Sequence, residues 1–551
     1  MPGEQTAHHR PLVTVCAAIA VILFFLAGLA FLPHLGVEND EALFGIAIFK
    51  PLTCYALQIG HVQVPLMIMS YLGTLKAWIY RPIFNVFGVG VLALRVPALL
   101  AGTASVWLFF LLLRRVAGER AALIGSSLLA VDSEYLLTVC FDWGPVALQH
   151  LLLIGGMLLL TEFYQRRGSL ALAGGFFLFG LALWDKALAV WMLSGIGVAA
   201  MVCFPRQILA VVTRRRVVIC VLAFALGASP LIVYNADSYH ATGQLPTFAG
   251  NVRWDTRDIP NKLRILASTA RGQGLINWMF YQDWQTLKPH APQGVWENAS
   301  ARISALAGRS RQQLLLYAFL LAVLLAPLAR GDALRIILFA IVTLAVAWCQ
   351  MAVTANAGGS VHHVILLWPL PQAVVAVSFA AASRRLGRAG IPAVAAATMA
   401  MVVSGALVIN EHYFVMVRNG GAPMWTDAIF KLSGYLKSAP SRNLYCLDWG
   451  IVDSLRVLNR GALAFSGVDL IGKPNLSPAD RALVKSMISD PRSTFVAHTA
   501  PFEFFHRNGE LLEFAAQSGY ERHMTTVIPD GWGRPVYEVY HFVAKESAVA
   551  R

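Results

Sequence analysis

The sequence predicts a polytopic α-helical membrane protein that carries a smaller water-exposed α/β part. Three observations support this. The 551 residues are 57% hydrophobic and only 13% charged, whereas a soluble chain would hold about 25% charged residues, so much of the surface meets lipid. Apolar runs of the roughly 17–25 residues needed to cross a bilayer recur along the chain. Arginines collect in alternate connections between those runs.

The runs predict helices near 11–33, 90–113, 119–138, 145–163, 169–184, 187–204, 217–235, 312–329, 334–354, 362–382 and 391–412, about eleven spans of bilayer length. The first run, LVTVCAAIAVILFFLAGLAFL, follows His8, His9 and Arg10. It is long and lacks a small-x-small cleavage site, so it reads as a retained helix and not a signal peptide. Trp184-Asp185-Lys186 interrupts the apolar stretch 169–204 and reads as a hairpin tip.

With the N-terminus cytoplasmic, the inner connections hold Arg114-Arg115, Arg166-Arg167, Arg206 with Arg214-Arg215-Arg216, Arg330 with Arg335, and Arg384-Arg385 with Arg388. The short outer connections near 139–145 and 355–361 carry no Lys or Arg. This is the positive-inside pattern, and it puts the C-terminus outside. The net charge of +14 is then topogenic and headgroup-facing, which argues against a nucleic-acid partner. Seven cysteines, mostly in apolar runs and without a CxxC, predict neither a disulfide framework nor a zinc site.

Three longer pieces fall outside. In residues 34–89, IAIFKPLTCYALQIG and PLMIMSYLGTLKAWIYRPIF read as short amphipathic helices lying at the interface. Residues 236–311, with Trp254, Trp278, Trp284 and Trp296, read as a loop resting on the headgroups. Two domains are expected: a membrane domain over 1–412 and an outer α/β domain over 413–551. The outer domain should have a helix near 425–438, strands at NLYCLDWG and STFVAHT, a helix over 504–518, and a terminal pair RHMTTVIP and PVYEVYHFV around Asp530-Gly531.

That topology brings unusual side chains to the outer face. Glu38, Asp40 and Glu41 follow the first helix in GVENDEALFG. Asp132, Glu134 and Asp142 bracket the next outer turn, in VDSEYLLTVCFDWGP. Asp185 and Lys186 sit at the hairpin tip, His362 and His363 open the helix in GGSVHHVILLWPLP, and Arg95 lies inside LALRVPALLAG. Singly, each has an ordinary explanation: solvated acids beyond a helix end, a local ion pair, or snorkelling side chains. Together they match the needs of sugar transfer from a lipid phosphate. A carboxylate takes the proton of the attacking hydroxyl, a carboxylate also favours the oxocarbenium-like centre, and cationic or imidazole groups offset the charge of the departing phosphate.

These segments resemble, over roughly residues 11–380, the GT-C superfamily of polyprenyl-phosphate-sugar-dependent glycosyltransferases. The likeness is to the branch of protein O-mannosyltransferases and the lipid A aminoarabinose transferase, glycosyltransferase family 39-like. Asp40-Glu41 matches the Asp-Glu pair of the first outer loop. GHVQVPLMIMSYLG resembles the Pro-bearing interfacial segment, with only Pro65 where a Pro-Pro pair is common. FGVGVLALRVPALLAG, Asp142, GGFFLFGLALWDKAL and HHVILLWPLP match the motifs that follow in order.

The resemblance implies Asp40 as general base and Glu41 as the group orienting the acceptor or the interfacial helices. Asp142 becomes a second acid near the acceptor or a metal. Lys186, His362 and His363 become donor-phosphate contacts. Arg95 is grouped with them by charge, although its place inside a helix also fits a structural role. Some superfamily members use a divalent cation and others none; this sequence shows no dedicated metal spacing, so the cofactor stays open. The implied partners are a polyprenyl-phosphate sugar donor, a lipid, glycan or protein acceptor, and membrane lipids. The implied location is a bacterial inner membrane with the C-terminus periplasmic. Two other readings remain: a transporter or flippase of lipid-linked glycans, and a membrane scaffold whose outer tail binds a partner. A transporter would place polar groups along a path near the midplane, whereas here they crowd one face.

Overall fold

The computed structural model describes residues 9–282, 289–309, 312–438, 443–467 and 476–545. Each of the expected apolar runs is helical. Among the described residues, six helices are long and apolar enough to cross a membrane: 11–31, 91–116, 147–166, 332–353, 361–385 and 387–419. There are eight if each of two bent pairs counts as one span. Ser169–Asp185, Ala189–Cys203 and Leu315–Leu328 are shorter apolar helices. The chain is an integral membrane protein.

The bends have local causes. Glu119–Ala130 and Ser133–Cys140 meet at 61° because Asp132 stops the first helix and caps the second, its carboxylate accepting from Tyr135 N at 3.0 Å. Arg214–Gly227 and Ser229–Thr242 meet at 74°, with Pro230 in the first turn of the second helix. Close approach depends on small residues. A Cβ on Gly180 would lie 2.2 Å from Phe224 O, and one on Gly227 would lie 2.3 Å from Phe177 O, so these two helices touch backbone to backbone. Leu370–Arg385 is buried from Pro371 to Ser383 and forms the centre of the bundle.

Residues 34–89 depart from the expected pair of interfacial helices. A capped turn at Asn39–Ala42 leads into a 3₁₀ turn at Leu43–Ala47. A three-stranded antiparallel sheet follows: β1 (Tyr55–Ile59), β2 (Val62–Met69) and β3 (Leu72–Gly73). Leu75–Phe87 is the one helix of more than five residues in this region. The reason lies in the hairpin. Gly60-His61 joins β1 to β2, with Gly60 at φ +59°, and the flanking YALQI and VQVPLMIM suit strands better than helices. In the region 236–311, the preceding helix runs on to Thr242, and Ile259–Ala270 and Gly294–Ala307 are also helical. Trp254 and Trp296 are exposed, Trp278 stacks on Trp143 with ring centroids 5.6 Å apart, and Trp284 lies outside the described residues.

The C-terminal chain forms a five-stranded sheet in the order β5-β4-β6-β8-β7. Its strands are β4 (Asn443–Cys446), β5 (Phe465–Gly467), β6 (Ser493–His498), β7 (Tyr520–Pro529) and β8 (Pro535–Ala544). β5, β4 and β6 are parallel, and β8 and β7 close the edge antiparallel. The expected helices appear at Ala428–Ser438 and Arg507–Gln517. Two helices that the sequence reading missed, Val452–Leu458 and Pro478–Ser489, make the crossovers that parallel strands require.

Candidate active site

The turn that carries Asp40 is built from its own acids. Glu38 caps Asn39–Ala42, its Oε2 accepting from Asp40 N at 2.7 Å and Glu41 N at 3.3 Å, and the Glu41 carboxylate answers toward Glu38 N. This is a capping box with glutamate in the place usually held by Ser or Thr. Glu38 and Glu41 are buried, and Asp40 is half-buried beside them.

Arg95 anchors the turn to the bundle. Its Nε and Nη2 donate to the two oxygens of Glu41 at 2.6 and 2.9 Å. Nη1 donates to Leu32 O and Leu35 O, at 2.6 and 2.9 Å, and Nη2 to Gly36 O at 2.8 Å. All five N–H groups of the guanidinium are thereby engaged. The expectation that Arg95 binds the donor phosphate is corrected: a buried guanidinium bound to one carboxylate and three carbonyls has no N–H left for a phosphate. Glu41 likewise holds the turn to the bundle, since both its oxygens face Arg95.

Asp142 is also more constrained than expected. It sits at φ +43°, and its Oδ1 accepts from Val146 N and Ala147 N at 3.1 and 3.0 Å, capping the helix Ala147–Arg166. Its Oδ2 pairs with Lys76 Nζ at 2.7 Å, both side chains being buried. Lys76 was not singled out in the sequence. The signal was a lone lysine within the apolar segment LGTLKAWIY, read there as interfacial. Its ammonium also donates to Glu41 O at 3.2 Å and lies 4.4 Å from the Phe44 ring centroid, so it joins the two acidic turns.

Lys186, in the turn after Ser169–Asp185, donates to Gly144 O. The electrostatic neighbours of its ammonium are Asp40, Asp185 and Asp142; burial nevertheless pushes it down to about 8. Asp40 is displaced the other way: burial raises it above the ordinary aspartate value, and Lys186, Asn39 and Lys76 partly offset this. Asp185 accepts from Gln149 Nε2 at 2.9 Å. Gly144, at φ +70°, leaves room for His362: a Cβ there would lie 2.4 Å from His362 Cδ2. His362 packs on Trp143 at 4.5 Å and on His363 at 4.3 Å, and its Nδ1 meets Ser360 Oγ at 2.9 Å. His363 lies within electrostatic reach of Lys186.

Asp40, Lys76, Asp142, Asp185 and Lys186 thus share one buried cluster, with the histidine pair beside it. Asp132 and Glu134 stand apart as scaffold. Asp132 gathers Trp368 Nε1, Gln372 Nε2 and Gln313 Nε2 at 2.8–3.1 Å, and Glu134 accepts from Leu275 N at 3.3 Å. Among the described residues, no group of three or more His, Cys, Asp or Glu side chains is arranged to hold a metal ion.

The C-terminal chain closes over this cluster. Val452–Leu458 packs against the Asp40 turn and the 3₁₀ turn that follows; a Cβ on Gly45 would lie 2.4 Å from Val457 Cγ2. Asp453, paired with Arg456 at 2.7 Å, is raised to about 6, mainly by burial, with Asp40 contributing like-charge repulsion. Asp448 fixes this loop. It accepts from His498 Nδ1 at 2.7 Å and from the backbone of Phe504 and Phe505 at 2.7 and 3.0 Å.

No curated protein matches the chain in sequence. Residues 73–234 match the family described as dolichyl-phosphate-mannose-protein mannosyltransferase. In structure, the chain is similar to ArnT from Cupriavidus metallidurans bound to undecaprenyl phosphate, with a TM-score of 0.54 at 14% identity over 96% of this chain and 98% of that one. It is also similar to the archaeal oligosaccharyltransferase AglB from Archaeoglobus fulgidus, in complex with an inhibitory peptide and a dolichol-phosphate. There the TM-score is 0.51 at 11% identity over 98% of this chain and 75% of that one. With the mannosyltransferase match inside its membrane bundle and these two architectures along nearly its whole length, the chain has the fold of the GT-C membrane glycosyltransferases.

Proposed function

We propose that the protein transfers a sugar from a polyprenyl-phosphate donor to a lipid, glycan or protein acceptor at the extracytoplasmic membrane surface. Asp40 is the general base. As the acceptor oxygen attacks the anomeric carbon, its proton passes to the Asp40 carboxylate. The bond from the anomeric carbon to the phosphate oxygen breaks, and polyprenyl phosphate leaves with the electron pair. Lys186 and the His362–His363 pair face that leaving phosphate and offset its growing charge. Lys76 and Asp142 hold the wall behind Lys186.

The observation that supports this reading is that the half-buried Asp40 carboxylate and the Lys186 ammonium lie within electrostatic reach of each other. The two arrive on segments almost 150 positions apart and share one end of the bundle, opposite the arginine-bearing helix ends. The arginine distribution supports reading that end as the outer side. The lipid ligands of ArnT and AglB named above, undecaprenyl phosphate and dolichol-phosphate, make a polyprenyl-phosphate sugar the donor to test first.

The test is to incubate the purified protein with a panel of polyprenyl-phosphate pentoses and hexoses and to measure release of free polyprenyl phosphate. Release is expected with one panel member, and Asp40→Asn should abolish it while leaving donor binding intact. Undiminished release by Asp40→Asn would remove Asp40 from the chemistry.

A further inference from the structure

A cavity of about 330 Å³ opens behind His363, between the loop that leads into Ile259–Ala270 and the loop 354–360. It lies at the small end of ligand pockets, which run from about 300 to 1,000 Å³. It is large enough to admit a sugar ring.

The chemistry of its wall discriminates between two kinds of guest. Lys262 is the cation present, and its ammonium is already engaged as a helix cap. Nζ donates to Thr354 O at 2.7 Å, Ala352 O at 3.0 Å and Met351 O at 3.3 Å. Asp255 is held in a fork by Arg257 at 3.1 and 3.0 Å. Asp258 makes no side-chain cap bond to its own helix, and it contributes a carboxylate to the wall along with the Asn356 amide and the Ser360 hydroxyl. An anion entering here would meet carboxylates and find no ammonium proton to accept. A polyol would find carboxylate, amide and hydroxyl groups of the kind that orient a polar ligand.

His363 provides the second observation. Its ring borders the cavity with an edge other than Nδ1, which is sealed inside the protein. The same imidazole lines the cavity and lies within electrostatic reach of Lys186. A ring in the cavity would therefore sit next to a phosphate held at Lys186.

We infer that this cavity is the subsite for the hydroxyl-bearing sugar ring of the donor, with Asp258, Asn356 and Ser360 as its recognition groups. The assignment rests on the transferase reading given above.

Gly359 offers a direct test, because a Cβ built on it meets nothing within 4 Å and the residue lines the cavity. Gly359→Leu fills the space without removing a polar group, and Asp258→Asn removes a charge at nearly constant shape. Binding to the full-length detergent-solubilised protein is measured with the panel of polyprenyl-phosphate sugars and, separately, with bare polyprenyl phosphate. Each variant is expected to bind the sugar-bearing lipid at least tenfold more weakly and the bare lipid within twofold of wild type. In turnover, the KM for donor should rise and the KM for acceptor should hold. Equal weakening toward both lipids, no weakening toward either, or a shift confined to the acceptor KM would each overturn the assignment. Thermal melts identify any variant that fails to fold, and Asp258→Asn then carries the test. Failure of the wild-type protein to bind any sugar-bearing lipid would count against the transferase reading instead, and the two failures are distinguishable.

Discussion

Removing Arg95 tests whether the Asp40 turn is held from the membrane side. Arg95→Ala strands the buried Glu41 carboxylate and leaves the carbonyls of Leu32, Leu35 and Gly36 without their donor. Breaking a buried ion pair from one side costs about 3–5 kcal/mol, and each orphaned carbonyl adds up to about 1–3 kcal/mol where water does not reach it. Glu41→Gln removes the stranded charge. The double variant should therefore fall short of the summed losses by about 3 kcal/mol, well above the 0.3–0.5 kcal/mol within which independent sites add. The assay is denaturant unfolding of the four proteins in mixed micelles, followed by tryptophan fluorescence. Additive losses, or an Arg95→Ala protein as stable as wild type, would refute the anchoring role. Arg95→Lys separates charge from geometry. An ammonium has three donors and no planar fork, so this variant should recover only part of the loss.

The pH profile of transfer should be bell-shaped. Asp40 works as a carboxylate, and its raised value moves the rising limb above that of an ordinary aspartate. The falling limb follows Lys186 through about 8, as the ammonium that faces the phosphate loses its proton. Lys186→Arg should push that limb upward, and a rate that stays flat between about pH 7 and 9 in the wild type would argue against Lys186 as the phosphate partner. Asp453→Asn removes a negative neighbour from Asp40. Lys186, Lys76, Asn39, Glu38 and Tyr71 continue to face Asp40, so the rising limb should move down in pH with donor KM unchanged; an unmoved limb would separate the two carboxylates. Gly144→Ala places a side chain at φ +70° and 2.4 Å from His362. About 1–2 kcal/mol of backbone strain and a displaced imidazole should raise donor KM, and a donor KM equal to wild type would show that His362 does not bear on donor binding.

The bundle was legible because bilayer length and arginine placement are one-dimensional signals, and the helices formed where the apolar runs lie. The first outer loop was misread because PLMIMSYLG has no clear period, and the decisive residue is Gly60, where a positive φ turns the chain into a hairpin. Asp40, Asp142, Lys186 and His363 were visible as polar residues at apolar borders. Their roles were only partly visible. Nothing local to Asp142 indicates that one oxygen caps a helix while the other meets a lysine 66 positions earlier. Lys76 and Lys262 were hidden because each is a single lysine in an amphipathic helix, the ordinary pattern of a snorkelling side chain, until tertiary contacts bury it. The helix Val452–Leu458 escaped because seven residues give too short a pattern to read.

The turn that carries Asp40, the proposed base, is braced from three directions. From the membrane, Arg95 fixes Glu41; from the first outer loop, Lys76 ties Glu41 O to Asp142; from the C-terminal sheet, Val457 presses on Gly45. A four-residue turn has too few internal hydrogen bonds to hold a carboxylate in place by itself. Its orientation must therefore come from these braces, each on a different part of the chain. Disturbing any one of them moves Asp40 relative to the reacting carbon, and misplacement of about 1 Å costs on the order of 100-fold in rate. The proposed donor-phosphate contacts, Lys186, His362 and His363, lie on other segments and need not move. Substitutions at the Gly45–Val457 contact, remote from the donor, should for that reason lower kcat and leave donor KM near its wild-type value. In the proposed reaction, the helix Val452–Leu458 then acts through the position of one carboxylate.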